Sequence, residues 1–217
     1  MKYKFTFHLL SLVVLCACGE AEIRSAYQQK ASEQKNVDQI PTPTRSLPAK
    51  LYGVTTDSGY DTTNLPASLQ KLSKKTITRI VFDEFVSPQD YLPGTTAVHN
   101  VNYVMGEIAD SSTVKLYTVN QYVNRTKNYW NNLNKVVDLW EVGNEVNGEW
   151  LGRTSDVVAK IYGAYKAIKA QNAPTALTLY YNATCYSDPG HEMFKWTNNN
   201  IPSDMKTGLN YVFVSYY

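Results

Sequence analysis

The chain has 217 residues, of which 43% are hydrophobic and 18% charged, and its 21 Lys and Arg against 19 Asp and Glu give a net charge of +2. This balance excludes nucleic-acid binding through a polybasic surface, and it excludes an acidic tail protein. Aromatic residues make up 12% of the chain, so a largely disordered protein is excluded as well. Tyrosine is unusually frequent, with 17 residues against 6 phenylalanines, and it suits both polar, stacking ligands and ordinary cores.

The N-terminal residues have the features of a secretion signal. Lys2 and Lys4 precede a nearly apolar run from Phe5 to Leu15, which is too short to span a bilayer. The next residues, Leu15-Cys16-Ala17-Cys18, resemble the lipoprotein box of bacteria, in which a small residue precedes the modified cysteine. The resemblance implies a signal peptide over residues 1–18, lipidation of Cys18 and a membrane anchor. A plain secretory signal with chance cysteines is the alternative.

A tether is predicted between this signal and the folded part of the chain. Residues 19–48 are rich in Glu, Gln, Lys, Ser and Ala and end in Pro41-Thr42-Pro43-Thr44, a composition typical of an extended spacer. Gly19 stands where an Asp retains some lipoproteins at an inner membrane, so we expect the outer membrane or the cell surface. After processing only Cys185 remains, and we expect it in or near the core.

Residues 49–217 alternate short apolar runs with helical stretches. In chain order the pattern predicts strand 51–57, helix 65–74, strand 76–82, helix 98–109, strand 114–119, helix 125–135, strand 136–142, helix 155–171 capped by Thr154 or Ser155, strand 176–181, a helix from Glu192, and strand 209–217. This alternation indicates an α/β protein with a parallel sheet. Both a doubly wound open sheet and a (β/α)8 barrel fit this pattern. No glycine-rich phosphate loop follows the first strand, which weighs against a nucleotide-binding open sheet.

Polar residues gather where the predicted strands end, which is the face that carries the active site in a (β/α)8 barrel. Loops are polar in any case, so their position alone does not distinguish a site from ordinary connections. The residues are Asp57, Asp83, Glu84, Asn120, Gln121, Asn144, Glu145, Asn182, Ser215, Tyr216 and Tyr217.

The segment at the end of the fourth predicted strand is the most specific. It runs Trp140-Glu141-Val142-Gly143-Asn144-Glu145 and closely resembles the fourth-strand signature of clan A glycoside hydrolases, which are (β/α)8 barrels. The resemblance implies a retaining hydrolase that acts on a β-linked glycan or glycoside. Glu145 would be its general acid/base, and Asn144 would hydrogen-bond the sugar hydroxyl beside the reacting carbon.

The second predicted strand extends the resemblance. Thr78-Arg79-Ile80-Val81-Phe82 is similar to the family's second strand, which implies that Arg79 points into the barrel near the nucleophile. A charge inside an apolar strand also needs a buried partner on physical grounds. Glu141 is expected lower in the barrel, paired with Arg79 or with Lys115.

Two aromatic residues complete the predicted site. Ser215-Tyr216-Tyr217 is similar to the family's sixth strand, with Ser215 in place of a frequent His, and Tyr217 would then contact the nucleophile. Trp150 follows Glu145 closely and is assigned to sugar stacking, with a core or lid position as the alternative. No metal-binding motif is present in the sequence, and we expect neither a metal nor a cofactor.

The resemblance covers only part of a barrel. A (β/α)8 barrel takes about 250 residues, whereas six strands are predicted here, and the family's nucleophile is a Glu at the end of strand seven. No other glutamate takes this role by motif; Glu107 is assigned to a helix. We therefore expect a fragment of a longer product that lacks normal turnover by itself. The alternatives are a complete, non-catalytic glycan-binding surface lipoprotein and an unrelated open-sheet protein.

Overall fold

The computed structural model describes residues 45–57 and 59–217. The predicted signal peptide, Cys18 and all of the tether up to Thr44 lie outside the described residues. Within the part that is described, no helix has the length and apolar character needed to cross a bilayer.

Six strands form one parallel sheet. They are β1 (Gly53–Thr56), β2 (Ile77–Val81), β3 (Tyr103–Glu107), β4 (Leu139–Glu141), β5 (Thr175–Tyr180) and β6 (Tyr211–Ser215). Each strand pairs in parallel with the next one along the chain, giving the order β1-β2-β3-β4-β5-β6. A doubly wound sheet reverses its order at the first strand. The sequential order excludes that alternative and makes this an incomplete (β/α)8 barrel of six strands.

The helices connect the strands and cover the outer face of the sheet except at β6, where Val212 and Val214 are exposed. They are α1 (Asn64–Leu69), α2 (Pro88–Val101), α3 (Val119–Leu133), α4 (Thr154–Lys169), α5 (Met193–Asn200) and α6 (Ser203–Gly208). The main core lies between these helices and the outward-pointing strand residues, such as Ile80, Val104 and Trp140, which are fully buried. Strand residues that are buried on both faces explain the nearly continuous apolar runs of the sequence.

The third strand differs from the prediction. Residues 98–109 are not one helix, because α2 ends at Val101 and β3 begins at Tyr103. Residues 114–119 are not a strand: Val114–Leu116 is a 3-10 turn, and Thr118 caps α3 in a capping box with Gln121. Two polar residues predicted at a strand end, Asn120 and Gln121, lie in the first turn of α3 instead. The number of strands, and the position of β4 as the fourth, are as predicted.

Two smaller expectations are also corrected. Helix α4 is confirmed, but its N-cap is Arg153, which makes no side-chain cap bond, so neither Thr154 nor Ser155 caps it. Cys185 is exposed rather than buried. It lies in the loop after β5, where its backbone N–H bonds to the carbonyl of Asn182 in a turn, and the turn keeps it away from the core.

The inner face of the sheet is layered. Near the N-terminal ends of the strands it is apolar, with Ile77, Met105, Leu139 and Ala176 buried together. Towards the C-terminal ends it becomes polar, because the next inward positions carry Arg79, Glu107, Glu141 and Thr178. Alternate residues of parallel strands lie on one face of the sheet, and these polar side chains form the floor of the candidate site.

The chain enters the barrel at its apolar end. Arg45 forms an ion pair with the buried carboxylate of Asp138 and donates hydrogen bonds to the carbonyls of His99 and Asn102, at 2.9 and 3.0 Å. Asp138 also accepts the backbone N–H of Val104 at 2.8 Å. Asn102 and Asp138 lie just before β3 and β4, Val104 is in β3, and His99 is in the last turn of α2. The last residues assigned to the tether therefore contact the domain.

Candidate active site

Glu145 lies in a tight turn directly after β4. Its backbone has φ +49°, an uncommon conformation for a residue with a side chain. The surrounding contacts hold it there: Gly148 N–H bonds to the Glu145 carbonyl at 2.8 Å, and Val146 N–H bonds to the carbonyl of Thr178 at 3.3 Å. Asn147, which is fully buried, pairs with both backbone groups of Tyr180 at 2.8 and 2.9 Å. The turn is therefore fixed to the end of β5.

The Glu145 carboxylate receives one hydroxyl on each oxygen. Tyr217 donates to Oε1 at 2.6 Å and Ser111 donates to Oε2 at 3.3 Å. The hydrogen bond to Glu145, followed by partial burial, raises the pKa of Tyr217, so its phenol stays a donor. Glu145 itself is 7% exposed. The loops after β3, β4 and β6 thus meet at one carboxyl group at the C-terminal edge of the sheet.

Asn144 is buried beside Glu145 and faces a carboxylate. Its amide lies 3.5 Å from Asp110 Oδ2. The other oxygen of Asp110 accepts the backbone N–H and the hydroxyl of Ser112, at 2.9 and 2.6 Å. Asp110 therefore fixes the loop after β3 and also orients the Asn144 amide. The structure contains no sugar, so the assigned contact of Asn144 with a substrate hydroxyl stays a prediction.

Arg79 lies below this level and is held by two glutamates. Its Nε and Nη2 donate to Glu141 at 2.6 and 3.1 Å, and Thr178 adds a hydroxyl bond to Glu141. The predicted pairing with Glu141 is confirmed, and Lys115 is exposed elsewhere. Burial acts to lower the pKa of Arg79, but the hydrogen bond and charge of Glu141 outweigh it, so the pKa is raised. Arg79 is thus a fixed cation beneath the site.

Glu107 is the residue that the sequence prediction placed in a helix. It ends β3, is fully buried, and pairs in register with Glu141. Arg79 Nη2 lies 2.8 Å from its Oε2 as an ion pair, yet neither Glu107 oxygen accepts a well-aligned hydrogen bond among the described residues. Burial first, and the charge of Glu141 second, raise the pKa of Glu107 well above its usual value. One arginine therefore faces two buried carboxyls, and Glu107 holds its proton to a higher pH than an exposed glutamate does.

Arg125 holds the strand ends that carry this layer. It is buried on α3 and donates to the carbonyls of Ile108, Phe82 and Asp83, at 2.7, 2.9 and 2.7 Å. The rings of Tyr129 and Tyr117 flank its guanidinium at 4.4 and 5.6 Å. No sequence motif marks this residue. Its bonds tie the end of β2 to the end of β3, which positions Arg79 and Glu107 relative to each other.

Trp150 is only partly free for a ligand. Its side chain is 39% exposed, its ring lies edge-on to Tyr180 at 5.3 Å, and its indole N–H donates to Ser111 Oγ at 3.1 Å. A Cβ added at Gly148 would come within 2.6 Å of the ring, so the glycine allows the indole to fold back over the turn. One hydrogen bond therefore connects the tryptophan to a residue that touches Glu145.

A cavity of about 350 Å³ opens on the inner face of the sheet. Its polar lining comes from Arg79, Thr55, Thr178 and Ser215, and its apolar lining from residues such as Phe213 and Met105. It lies beside the polar layer, between β1 and β6. Among the described residues, no three His, Cys, Asp or Glu side chains are placed so that they could hold a metal ion.

Comparisons with known proteins are sparse. No family model matches the sequence, and no curated protein matches it. Among solved structures, the GH53 catalytic domain of Ignisphaera aggregans is similar with a TM-score of 0.48 and 17% identity, over 82% of this chain and 62% of that domain. The chain thus spans less than two thirds of that structure. At this score the similarity adds nothing to the roles of individual residues.

Proposed function

We propose that this chain forms the larger part of the catalytic barrel of a retaining glycoside hydrolase acting on a β-linked glycan or glycoside. The observation that supports it is the environment of Glu145. A nearly buried carboxyl lies at the C-terminal edge of a parallel barrel sheet, immediately after the fourth strand, between two hydroxyl donors. That is the face on which such barrels carry their chemistry.

In the proposed reaction Glu145 moves a proton twice. First its carboxylic acid protonates the glycosidic oxygen as that bond breaks, while a carboxylate nucleophile forms a bond to the anomeric carbon. Then the Glu145 carboxylate takes a proton from water, whose oxygen attacks the same carbon and releases the nucleophile. The sugar leaves with net retention, and both carboxyls return to their starting states.

The nucleophile is proposed to come from outside the 217 residues. A retaining mechanism needs the second carboxylate about 5 Å from the first. The nearby candidates at the polar layer, Glu107 and Glu141, are both buried against Arg79, so neither is free to attack a sugar. Sequencing of the DNA beyond the Tyr217 codon tests this point. We expect at least about 80 further codons, to reach barrel length, with a Glu at the end of a seventh strand.

The activity test uses the product of the complete reading frame. We expect it to hydrolyse an aryl β-glycoside, Glu145→Ala to reduce turnover by about 10²–10⁴-fold, and azide to restore turnover for a good leaving group. Glu149→Gln is the matched control, because Glu149 is an exposed carboxylate four residues further on. Equal activity of wild type and Glu145→Ala would overturn the assignment.

A non-catalytic glycan-binding protein is the second candidate. It is favoured by the stacked rings of Tyr181 and Tyr216, 5.4 Å apart and 40% and 77% exposed at the same edge of the sheet. Exposed aromatic faces suit sugar rings. This function predicts glycan binding that survives Glu145→Gln, with no hydrolysis by the complete product.

We also propose that Cys18 carries a lipid and that the protein is anchored in the cell envelope, at the outer membrane or the cell surface. The support is the lipoprotein-like segment ending in Ala17-Cys18. Labelling with a radioactive fatty acid tests it. We expect the label in wild type and its loss in Cys18→Ser, with Cys16→Ser as the matched control.

A further inference from the structure

We propose that Trp150 and Ser111 form a directional hydrogen-bond relay that orients the Glu145 carboxyl, so that Ser111 is a positioning residue for the proton transfer. This inference deepens the proposed function and rests on it. It gives Trp150 a role beyond the predicted sugar contact, and it assigns a role to a serine that no motif marks.

The direction of the relay follows from the chemistry of its three groups. An indole N–H can only donate, so Ser111 Oγ must accept from Trp150, at 3.1 Å. A serine hydroxyl has a single proton, and with the indole on one lone pair that proton is left for Glu145 Oε2, at 3.3 Å. The indole therefore decides which way the serine hydroxyl points.

Both ends of the relay are fixed. Ser111 is 4% exposed and follows Asp110, whose carboxylate accepts the N–H of Ser112 and whose carbonyl accepts the hydroxyl of Thr113. Trp150 is held edge-on to Tyr180 and closes over Gly148. A hydroxyl that is held in place loses little entropy when it bonds a carboxylate. The surrounding contacts thus hold Ser111 and Trp150 in the positions that the relay requires.

The relay leaves the other carboxyl oxygen to a different element. Tyr217 reaches Oε1 from the end of β6, whereas the relay reaches Oε2 from the loops after β3 and β4. Each oxygen has its own donor, which fixes rotation about the terminal side-chain bond of Glu145. A carboxyl held in one plane presents the same oxygen to the leaving group and later to water, as the two proton transfers require.

Other titratable groups face this carboxyl and must be separated from it in any pH experiment. Glu107 on β3 and Tyr217 after β6 interact with it directly, and Asp110 contacts the neighbouring Asn144. From the turn after β5, His191 Nδ1 lies 2.8 Å from the Asn147 carbonyl. Substitution of Glu145 itself, rather than pH alone, is therefore the reference for the relay.

The first experiment needs no turnover and uses the whole 217-residue chain. Four tryptophans give four indole N–H signals in a ¹H–¹⁵N spectrum, and Trp150→Phe identifies the one in question. We expect that signal to move in Glu145→Gln, which removes the acceptor charge, and to move upfield in Ser111→Ala. Ser112→Ala is the matched control, because Ser112 is exposed in the same loop and its hydroxyl bonds to Asp110 rather than to Glu145 or Trp150.

The second experiment measures kcat and KM of the protein encoded by the complete reading frame. Loss of one oriented hydrogen bond is expected to lower kcat about tenfold in Ser111→Ala and in Trp150→Phe, with KM nearly unchanged. The double variant should lose no more than either single one, and Ser111→Thr should recover most of the activity. A raised KM with unchanged kcat in Trp150→Phe would show a sugar platform and overturn the relay.

The two experiments separate the relay from the proposed function. A Trp150 signal that ignores both Ser111→Ala and Glu145→Gln overturns the relay, whatever the enzyme does. If the Trp150 signal responds to both substitutions but the complete product hydrolyses no glycoside, the geometry of the relay is supported. The hydrolase proposal, and with it the role of the relay in proton transfer, is then overturned.

Discussion

The buried carboxyl of Glu107 makes the stability of the barrel depend on pH in an unusual direction. Its pKa is raised in the folded state above the ordinary value of 4.5, because it is buried next to Glu141. Between that ordinary value and the raised one, the folded chain holds a proton that the unfolded chain has released. The free energy of unfolding therefore falls as the pH rises through this window.

The size of the effect follows from one proton. A single group changes the unfolding free energy by at most about 1.4 kcal/mol per pH unit. In Glu107→Gln a neutral amide of similar size replaces the protonated carboxyl beside Arg79, whose Nη2 lies 2.8 Å from Glu107 Oε2 in the wild type. The variant should match wild type near pH 4.5 and become progressively more stable than wild type as the pH rises, by up to that slope, until the folded carboxyl ionises.

Urea denaturation of both proteins at half-unit steps between pH 4.5 and 8 measures this difference. Glu149→Gln is the control. Hydrogen bonds from the N–H groups of Ser187 and Asp188 lower the pKa of Glu149, so its contribution to stability is lost only below the ordinary value, and its curve should run parallel to the wild-type curve across this range. If the Glu107→Gln and wild-type curves stay parallel over the whole range, Glu107 is ionised in the folded state and the reasoning fails.

Three further substitutions test the packing. Arg79→Met leaves two buried carboxyls without their cation and should cost about 3–5 kcal/mol in urea denaturation; a loss below 1 kcal/mol would contradict the ion-pair geometry. Gly94→Ala places a Cβ 2.0 Å from the carbonyl oxygen of Gly59 and should lower stability by about 1–3 kcal/mol, although alanine favours a helix. Asp138→Ala removes the buried partner of Arg45, which is itself partly exposed, and should cost about 1–3 kcal/mol, with faster proteolysis near residue 45 as a second readout.

The strands with clear turn signals on both sides could be predicted, and the third strand could not. Between α2 and β3 only Asn102 intervenes, with no Gly or Pro. Val98, Val101 and Met105 also keep a helical spacing across the boundary, so periodicity joined the two elements. The sequence does contain a signal for the correct assignment of residues 114–121. Thr118 and Gln121 form a capping box, which marks a helix start rather than a strand end.

The positions of residues on a strand or just after one could be predicted, whereas contacts made by loops could not. The resemblance points to Arg79 and Glu145, the strand pattern adds Glu141, and the structure brings all three to the C-terminal half of the sheet; their roles stay predictions. Ser111 is not predicted, because the sequence pattern assigns the residues just after it, 114–119, to a strand that the structure does not contain. Its bond to Glu145 joins residues 34 positions apart, and a short-range pattern carries no information on such a contact.

The position of Arg45 separates the entry of the chain from the candidate site. Arg45 binds at the N-terminal ends of β3 and β4, through His99, Asn102 and Asp138, whereas Glu145 lies beyond the C-terminal end of β4. The chain therefore joins the sheet at the end opposite Glu145, so loss of the Arg45 contacts should leave the mouth of the candidate site unchanged.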